Sequence, residues 1–192
     1  MQGSQTSATV VLLRHAEKPD DVSHGVDEQG RRDEHSLTVR GWQRAGALVR
    51  WLAPSDAQSP FGRPAAVWAA PATGPHPSHR PELTVTPLAR YLNLSVNSAM
   101  SVGDHDAAAS AVLADALPAV VSWRHDDLPE LARTFASRMG ADPNAIPSDW
   151  PEERFDLAWV FERNERGIWS FRQVPQCLLE GDRTSALPAP NH

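Results

Sequence analysis

The chain has 192 residues, 41% of them hydrophobic and 22% charged, with a formal net charge of −6. That length suits one domain with a sizeable core, and the acidic balance argues against a general binder of nucleic acid or of an anionic membrane surface. A single cysteine, Cys177, excludes an intrachain disulfide framework, and no apolar run approaches the length of a membrane span.

Residues 1–7 are polar and read as a disordered tail. They lack the basic and apolar regions of a secretory signal, so a cytoplasmic protein is the expectation. Val10-Val11-Leu12-Leu13 is a continuous apolar run, the mark of a strand buried on both faces, and 8–14 is read as the first strand. It ends in Arg14 and His15, followed by the small Ala16. In an open α/β sheet, ligands bind at the C-terminal tips of the strands. Residues 16–36 are polar and broken by Gly25 and Gly30; a loop this long is usually functional, and here it is expected to form a rim above the strand tip. Lys18 and His35 are candidates for substrate contact within it, against the plainer reading of solvated surface.

Leu37 to Leu52 has helical periodicity. Thr38 is the expected N-cap. Val39, Trp42, Gly46, Val49 and Leu52 recur on one face, with Arg40, Arg44 and Arg50 largely off it. A Pro/Ser-rich loop follows, then a short buried strand at Ala65–Ala70 and a loop at Pro71–His79. Pro81 suits the first turn of a helix and places Arg80 at that helix's N-terminus, where backbone N–H groups favour an anion. Pro87 is expected to kink or restart the helix. Leu94–Val96 reads as an edge strand, 97–106 as a polar loop, and Ala107–Leu117 as an alanine-rich helix. Ala119–Trp123 is another buried strand, and it too ends in a basic pair, Arg124-His125. A helix containing Leu128, Leu131, Ala132 and Phe135 follows, then a Pro-rich loop at 140–154. Two strands, 157–162 and 169–174, flank a turn at 164–167 and read as an antiparallel hairpin at the sheet edge. The expected organisation is a tail at 1–7, one domain over 8–175 and a polar tail over 176–192.

Two apolar strands about a hundred residues apart thus each deliver a histidine at the C-terminal end. As parallel neighbours they would bring His15 and His125 to one sheet edge. Four segments together resemble the histidine phosphatase superfamily, of the phosphoglycerate mutase-like branch 1 type. They are the strand ending in Arg14-His15-Ala16, the stretch Leu37-Thr38-Val39-Arg40-Gly41 continuing to Arg44-Ala45, the segment Ser78 to Ala89 containing Arg80, Thr84 and Pro87, and His125 after a later strand. Val85 stands where that family usually has alanine, a mild departure within the core; Arg124 stands where it usually has glycine, so the substrate preference of better-known members does not transfer. The resemblance implies a three-layer α/β/α fold with a mostly parallel central sheet and helices on both faces.

It also implies a chemistry. His15 would attack phosphorus through a neutral ring nitrogen and form a phosphohistidine, its tautomer fixed by a backbone hydrogen bond. Arg14 and Arg80 would grip phosphoryl oxygens in pairs. His125 would donate a hydrogen bond to the transferring group. A carboxyl would protonate the leaving oxygen: Asp104, 24 residues after Arg80, is the first candidate, Asp126 the second and Glu17 the third. No metal or other cofactor is expected.

The leading function is a metal-independent phosphomonoesterase for a small phosphorylated metabolite. A phosphohistidine-protein phosphatase comes second, a sugar-phosphate mutase third, and a non-catalytic phosphate-binding module stands as the alternative from another class. Neither nucleic acid nor membrane is an expected partner, and the oligomeric state is left open. Two decoys are set aside. His76 and His79 lie in a Pro-rich loop rather than at the spacing of a helical zinc motif. Cys177 to Arg183 matches the Cys-x5-Arg loop of cysteine-dependent phosphatases, yet two acids inside an anion cradle would repel phosphate; Cys177 reads instead as a small residue at least half-buried.

Overall fold

The computed structural model describes residues 8–57, 59–73, 77–100 and 103–188. The expectations placed on residues 1–7 and on His76 lie outside them. In chain order the elements are β1 (Thr9–Arg14), β2 (Gly25–Val26), β3 (Leu37–Thr38), α1 (Val39–Leu52), β4 (Ala66–Ala69), α2 (Arg80–Leu92), β5 (Val96–Asn97), α3 (His105–Ala114), β6 (Ala119–Trp123), α4 (Leu128–Met139), β7 (Leu157–Arg163) and β8 (Trp169–Pro175). The main sheet has the order β5-β4-β6-β1-β7-β8. The first four of these strands run parallel, and β7 and β8 run antiparallel to their neighbours. β1 sits between β6 and β7 and is buried along its whole length, as its unbroken apolar run requires.

Alternation along the strands divides the core in two. Val11, Leu13, Val67, Val120 and Val160 face one layer, which also holds Leu48 and Leu52 of α1 and Val85 and Leu88 of α2. Val10, Leu12, Trp68, Val121, Trp123 and Trp159 face the other, with Val112 of α3 and Leu131 and Phe135 of α4. The chain is therefore a three-layer α/β/α sandwich.

Several boundaries differ from the sequence expectation for physical reasons. Leu37 and Thr38 pair with Gly25 and Val26 in a small antiparallel ladder, so the helix begins at Val39 rather than Leu37. Thr38 still caps it, accepting from the Gly41 amide at 3.1 Å. The buried face of α1 is Gly41, Arg44, Ala45, Leu48 and Leu52, while Val39 is 61% exposed. Arg44 turns inward because acidic partners meet it there. α2 runs through Pro87 without restarting and ends at Asn93 in the left-handed region; only the hydrogen bond that residue 87 would donate is lost. α3 stops at Ala114, short of Leu117, where the Asp115 carboxylate accepts from the Ala116 amide.

The 140–154 loop contains a 3-10 turn at Pro143–Ala145 and a buried Trp150, whose indole packs 4.7 Å from that of Trp159. The segment read as a C-terminal tail is not one over 176–188. Gln176 and Leu187 are buried, and Asp182 pairs with Arg44 inside the molecule. Among the described residues no helix is long and apolar enough to cross a membrane.

Candidate active site

β1 and β6 are parallel neighbours with Arg14 in register with Trp123. The ladder continues one step further, the His15 amide donating to the Trp123 carbonyl at 3.0 Å. Both Arg-His pairs therefore emerge side by side at the C-terminal edge of the parallel strands.

His15 is buried, at 5% exposure. Its Nδ1 lies 2.8 Å from the Ala16 carbonyl oxygen. A carbonyl only accepts, so Nδ1 carries the proton and Nε2 keeps its lone pair. Burial lowers the imidazole pKa to about 3, and the charges of Arg14, Arg80 and His125 push the same way against the Ala16 hydrogen bond. His15 is thus a neutral ring with a free nitrogen at ordinary pH. The Ala16 amide donates to Thr84 Oγ1 at 2.8 Å, and that hydroxyl donates to the Arg80 carbonyl at 2.7 Å, which ties the histidine loop to the start of α2.

Arg14 is 1% exposed. Its Nη1 donates to the carbonyls of Pro151 at 3.2 Å, Arg154 at 3.5 Å and Glu152. The guanidinium stacks 3.9 Å from the Phe155 ring centroid. The Nε–Nη2 edge is buried with no hydrogen-bond partner among the described residues. Burial lowers the Arg14 pKa to about 10, opposed by Glu152 and Asp126, so the cation persists. A buried, unpaired, charged donor edge is costly unless an anion meets it.

Arg80 opens α2 as expected. Its Nε donates to the Ser36 carbonyl at 3.1 Å and its Nη2 to the Glu34 carbonyl at 2.5 Å. One edge of this guanidinium therefore holds the 34–36 loop, and the Nη1–Nη2 end is left to meet an anion. His125 is half-buried, with Nδ1 3.5 Å from Asp126 Oδ1. Burial and the Arg14 charge lower its pKa. Arg124 turns away towards the Pro71 and Thr73 carbonyls, at 3.4 and 3.3 Å, and anchors the loop after β4.

The three acid candidates separate clearly. Asp104 caps α3, its Oδ1 accepting from the Ala107 amide at 2.9 Å. Glu17 is turned inward: Arg44 Nε lies 3.1 Å from both of its oxygens, and Arg44 Nη2 lies 2.8 Å from Oε1. Both Glu17 oxygens are therefore engaged by Arg44. Asp126 stands at the rim, and its charge acts on both Arg14 and His125.

A fourth carboxylate, absent from the sequence expectation, acts on the same two residues. Glu152 pairs with Lys18 across the mouth of the site, and Lys18 lowers its pKa. The stretch Trp150-Pro-Glu-Glu-Arg-Phe155 carried the signal. β7 is antiparallel, so it begins at the edge where the parallel strands end, and the residues just before it reach the site. Lys18 is accordingly a rim residue; His35 and His79 are exposed, and His35 lies between the Glu34 and Ser36 carbonyls that Arg80 holds. Among the described residues no three His, Cys, Asp or Glu side chains are grouped to hold a metal ion. Cys177 is exposed rather than half-buried. The amides of Leu178 and Leu179 in its loop are taken by Asp182, at 2.8 and 3.0 Å, which leaves no cradle for an anion.

No protein-family model and no curated protein matches the sequence. Solved structures do. The protein histidine phosphatase SixA, complexed with tungstate, is 20% identical, with 88% of this chain and 97% of that chain covered at a TM-score of 0.51. A mycobacterial glucosyl-3-phosphoglycerate phosphatase is 12% identical, with 88% and 98% covered at a TM-score of 0.48. A phosphoserine phosphatase from Entamoeba histolytica is 11% identical, with 85% and 94% covered at a TM-score of 0.45. The likeness to SixA, over nearly the whole of both chains, establishes that this chain has the phosphoglycerate mutase-like α/β fold.

Proposed function

We propose that this protein is a phosphatase that works through a phosphohistidine on His15. One observation carries the reading. A neutral imidazole with a free Nε2 sits beside a buried arginine edge that lacks a partner. In the proposed cycle the phosphoryl oxygens take the Nε–Nη2 edge of Arg14, with Arg80 and His125 supplying further donors. The His15 Nε2 lone pair attacks phosphorus, and the bond to the ester oxygen breaks as the new P–N bond forms. The leaving oxygen takes a proton from the rim, where Asp126 faces the cluster. Water then attacks phosphorus and gives a proton back to the rim carboxylate, the P–N bond breaks, and inorganic phosphate departs as His15 recovers its lone pair. The substrate class is a small phosphorylated metabolite.

A phosphohistidine-protein substrate is the second reading, and a specific observation favours it. The carboxyls facing the cluster, Asp126 and Glu152, have side chains 72% and 68% exposed. Lys18 holds the Glu152 carboxyl below its usual range, the wrong direction for donating a proton to an alkoxide. A phosphoramidate, whose nitrogen leaves protonated from solvent, asks less of the site. The protein histidine phosphatase SixA, which shares the fold, acts on that class by its name.

The test is hydrolysis of an aryl phosphate, an alkyl phosphate and a phosphoramidate between about pH 4 and 8 with excess chelator, for the wild type and His15→Ala. Turnover that survives chelator and vanishes in His15→Ala is the expected result. Rates falling steeply from phosphoramidate to alkyl phosphate select the second reading. A wild type that binds phosphate or vanadate but turns over none of the three overturns the catalytic reading in favour of a binding module.

A further inference from the structure

Residues 176–188 fold back over the domain, and two adjacent residues of that segment reach two different parts of the site. Asp182 anchors the first arm. Its carboxylate is held by the Leu178 and Leu179 amides and receives Arg44 Nη2 at 2.7 Å and Nη1 at 3.0 Å. Gln176 Oε1 receives Arg44 Nη1 at 3.0 Å. Arg44 is 2% exposed and passes the connection on to both oxygens of Glu17, two residues beyond His15. The Glu17 carbonyl in turn accepts from the Thr38 amide at 3.0 Å. The second arm starts at Arg183. Its amide donates to Asp156 Oδ2 at 2.6 Å, and Asp156 Oδ1 receives Arg154 Nε at 2.7 Å. Arg154 Nη2 donates back to the Ser185 carbonyl at 2.9 Å, and the Arg154 carbonyl accepts from Arg14 Nη1.

A buried ion network of this kind stabilises a fold no better than apolar packing of the same volume, because desolvation offsets the attraction. What it adds is direction: each member has one permitted orientation. We propose that residues 176–188 are a positioning strap for catalysis, with Asp182 acting through Arg44 and Glu17 on the His15 loop, and Arg183 acting through Asp156 and Arg154 on Arg14. This rests on the reading of His15 as nucleophile. The two arms separate functionally. The first sets the line of attack on phosphorus, where a displacement of about 1 Å costs on the order of a hundredfold in rate. The second sets the anion-gripping edge.

The experiment compares Asp182→Asn and Asp156→Asn with wild type on an aryl phosphate, well below their melting temperatures. Inhibition by inorganic phosphate is measured alongside. Phe135→Leu, in the opposite core layer, serves as a control destabilised away from the site. The first arm predicts that Asp182→Asn loses tenfold or more in kcat with KM changed less than twofold. The second predicts that Asp156→Asn weakens phosphate inhibition about tenfold. Phe135→Leu keeps the wild-type kcat and KM while folded. If the two variants behave like Phe135→Leu, the strap is structural only and the proposal is overturned. If Asp182→Asn does not fold, Glu17→Gln reads the same arm from its other end, and a wild-type kcat there is equally fatal. A wild type with no turnover at all sinks the reading of His15 instead, while phosphate binding to Asp156→Asn still decides the second arm.

Discussion

The pH behaviour follows from one hydrogen bond and one burial. His15 is held as the Nδ1–H tautomer by Ala16, with its pKa lowered to about 3 by burial. An imidazolium cannot attack phosphorus, so the acid limb of kcat/KM belongs near that value rather than near the ordinary histidine value of about 6.5. Activity is expected to hold down to about pH 4 before this group fails; a limb at 6.5 would contradict the buried neutral ring. Stability carries the same signature. The folded-state pKa lies below the unfolded one, so the unfolded chain binds more protons beneath pH 6.5. Stability is full above that pH and erodes as pH falls towards about 3, by up to about 1.4 kcal/mol per pH unit. Melting temperatures of the wild type and His15→Asn across that range measure the effect. The variant's profile is expected to be flatter, and equal slopes would remove the argument. Arg14, His15 and His125 were legible because each basic pair interrupts an apolar strand. Glu152 was not, because its relevance depends on the direction of the strand that follows it.

At the level of elements, α1 is pressed against the nucleophile loop. A Cβ on Gly41 would lie 2.7 Å from the Glu17 carbonyl oxygen, 3.1 Å from its amide nitrogen and 3.0 Å from Leu37 Cβ. Two of those atoms are backbone, so neither swings aside, and the first turn of the helix must move off the loop. Alanine is the better helix former by about 1 kcal/mol, so propensity alone predicts that Gly41→Ala stabilises. The close approach predicts the opposite, a loss of about 1–3 kcal/mol from overpacking, with a lower kcat because Glu17 lies two residues from His15. Urea unfolding and steady-state kinetics together decide, and a stabilised variant of undiminished kcat would show that the loop yields freely. The same helix shows where periodicity misleads. Arg44 looked like an outward residue because a lone buried guanidinium is forbidden. Glu17 and Asp182 permit it, and they lie 27 and 138 residues away in sequence. Pairing over such distances leaves no periodic trace, whereas the strand cores and the Thr38 cap are written in neighbouring residues.

For the whole molecule, the layer order was implied by the family resemblance of four segments, but the end of the domain was not. Among the described residues the eight strands and four α-helices lie before residue 176, as do the four segments that carry the family resemblance, and the composition after Pro175 is that of a tail. Yet a chain ending at Pro175 would lose Gln176 and Asp182, two of the three acceptors that meet the Arg44 guanidinium, and the buried Leu187. Arg44 would keep Glu17, but its Nη1 would be left buried with no acceptor, at a cost of about 1–3 kcal/mol or more for a charged group, against a whole-domain stability of about 5–15 kcal/mol. Truncation after Pro175 is therefore expected to lower the melting temperature sharply or abolish the cooperative transition in circular dichroism. The cause can be isolated by adding Arg44→Met to the truncated chain. That change removes the buried charge that has lost Asp182, keeps the stem volume, and leaves Glu17 with Arg40 Nε at 3.2 Å. If the buried charge is what truncation exposes, the second change restores much of the melt. It does not restore kcat, because Arg44 and the 176–188 segment then no longer hold Glu17 and the loop that carries His15.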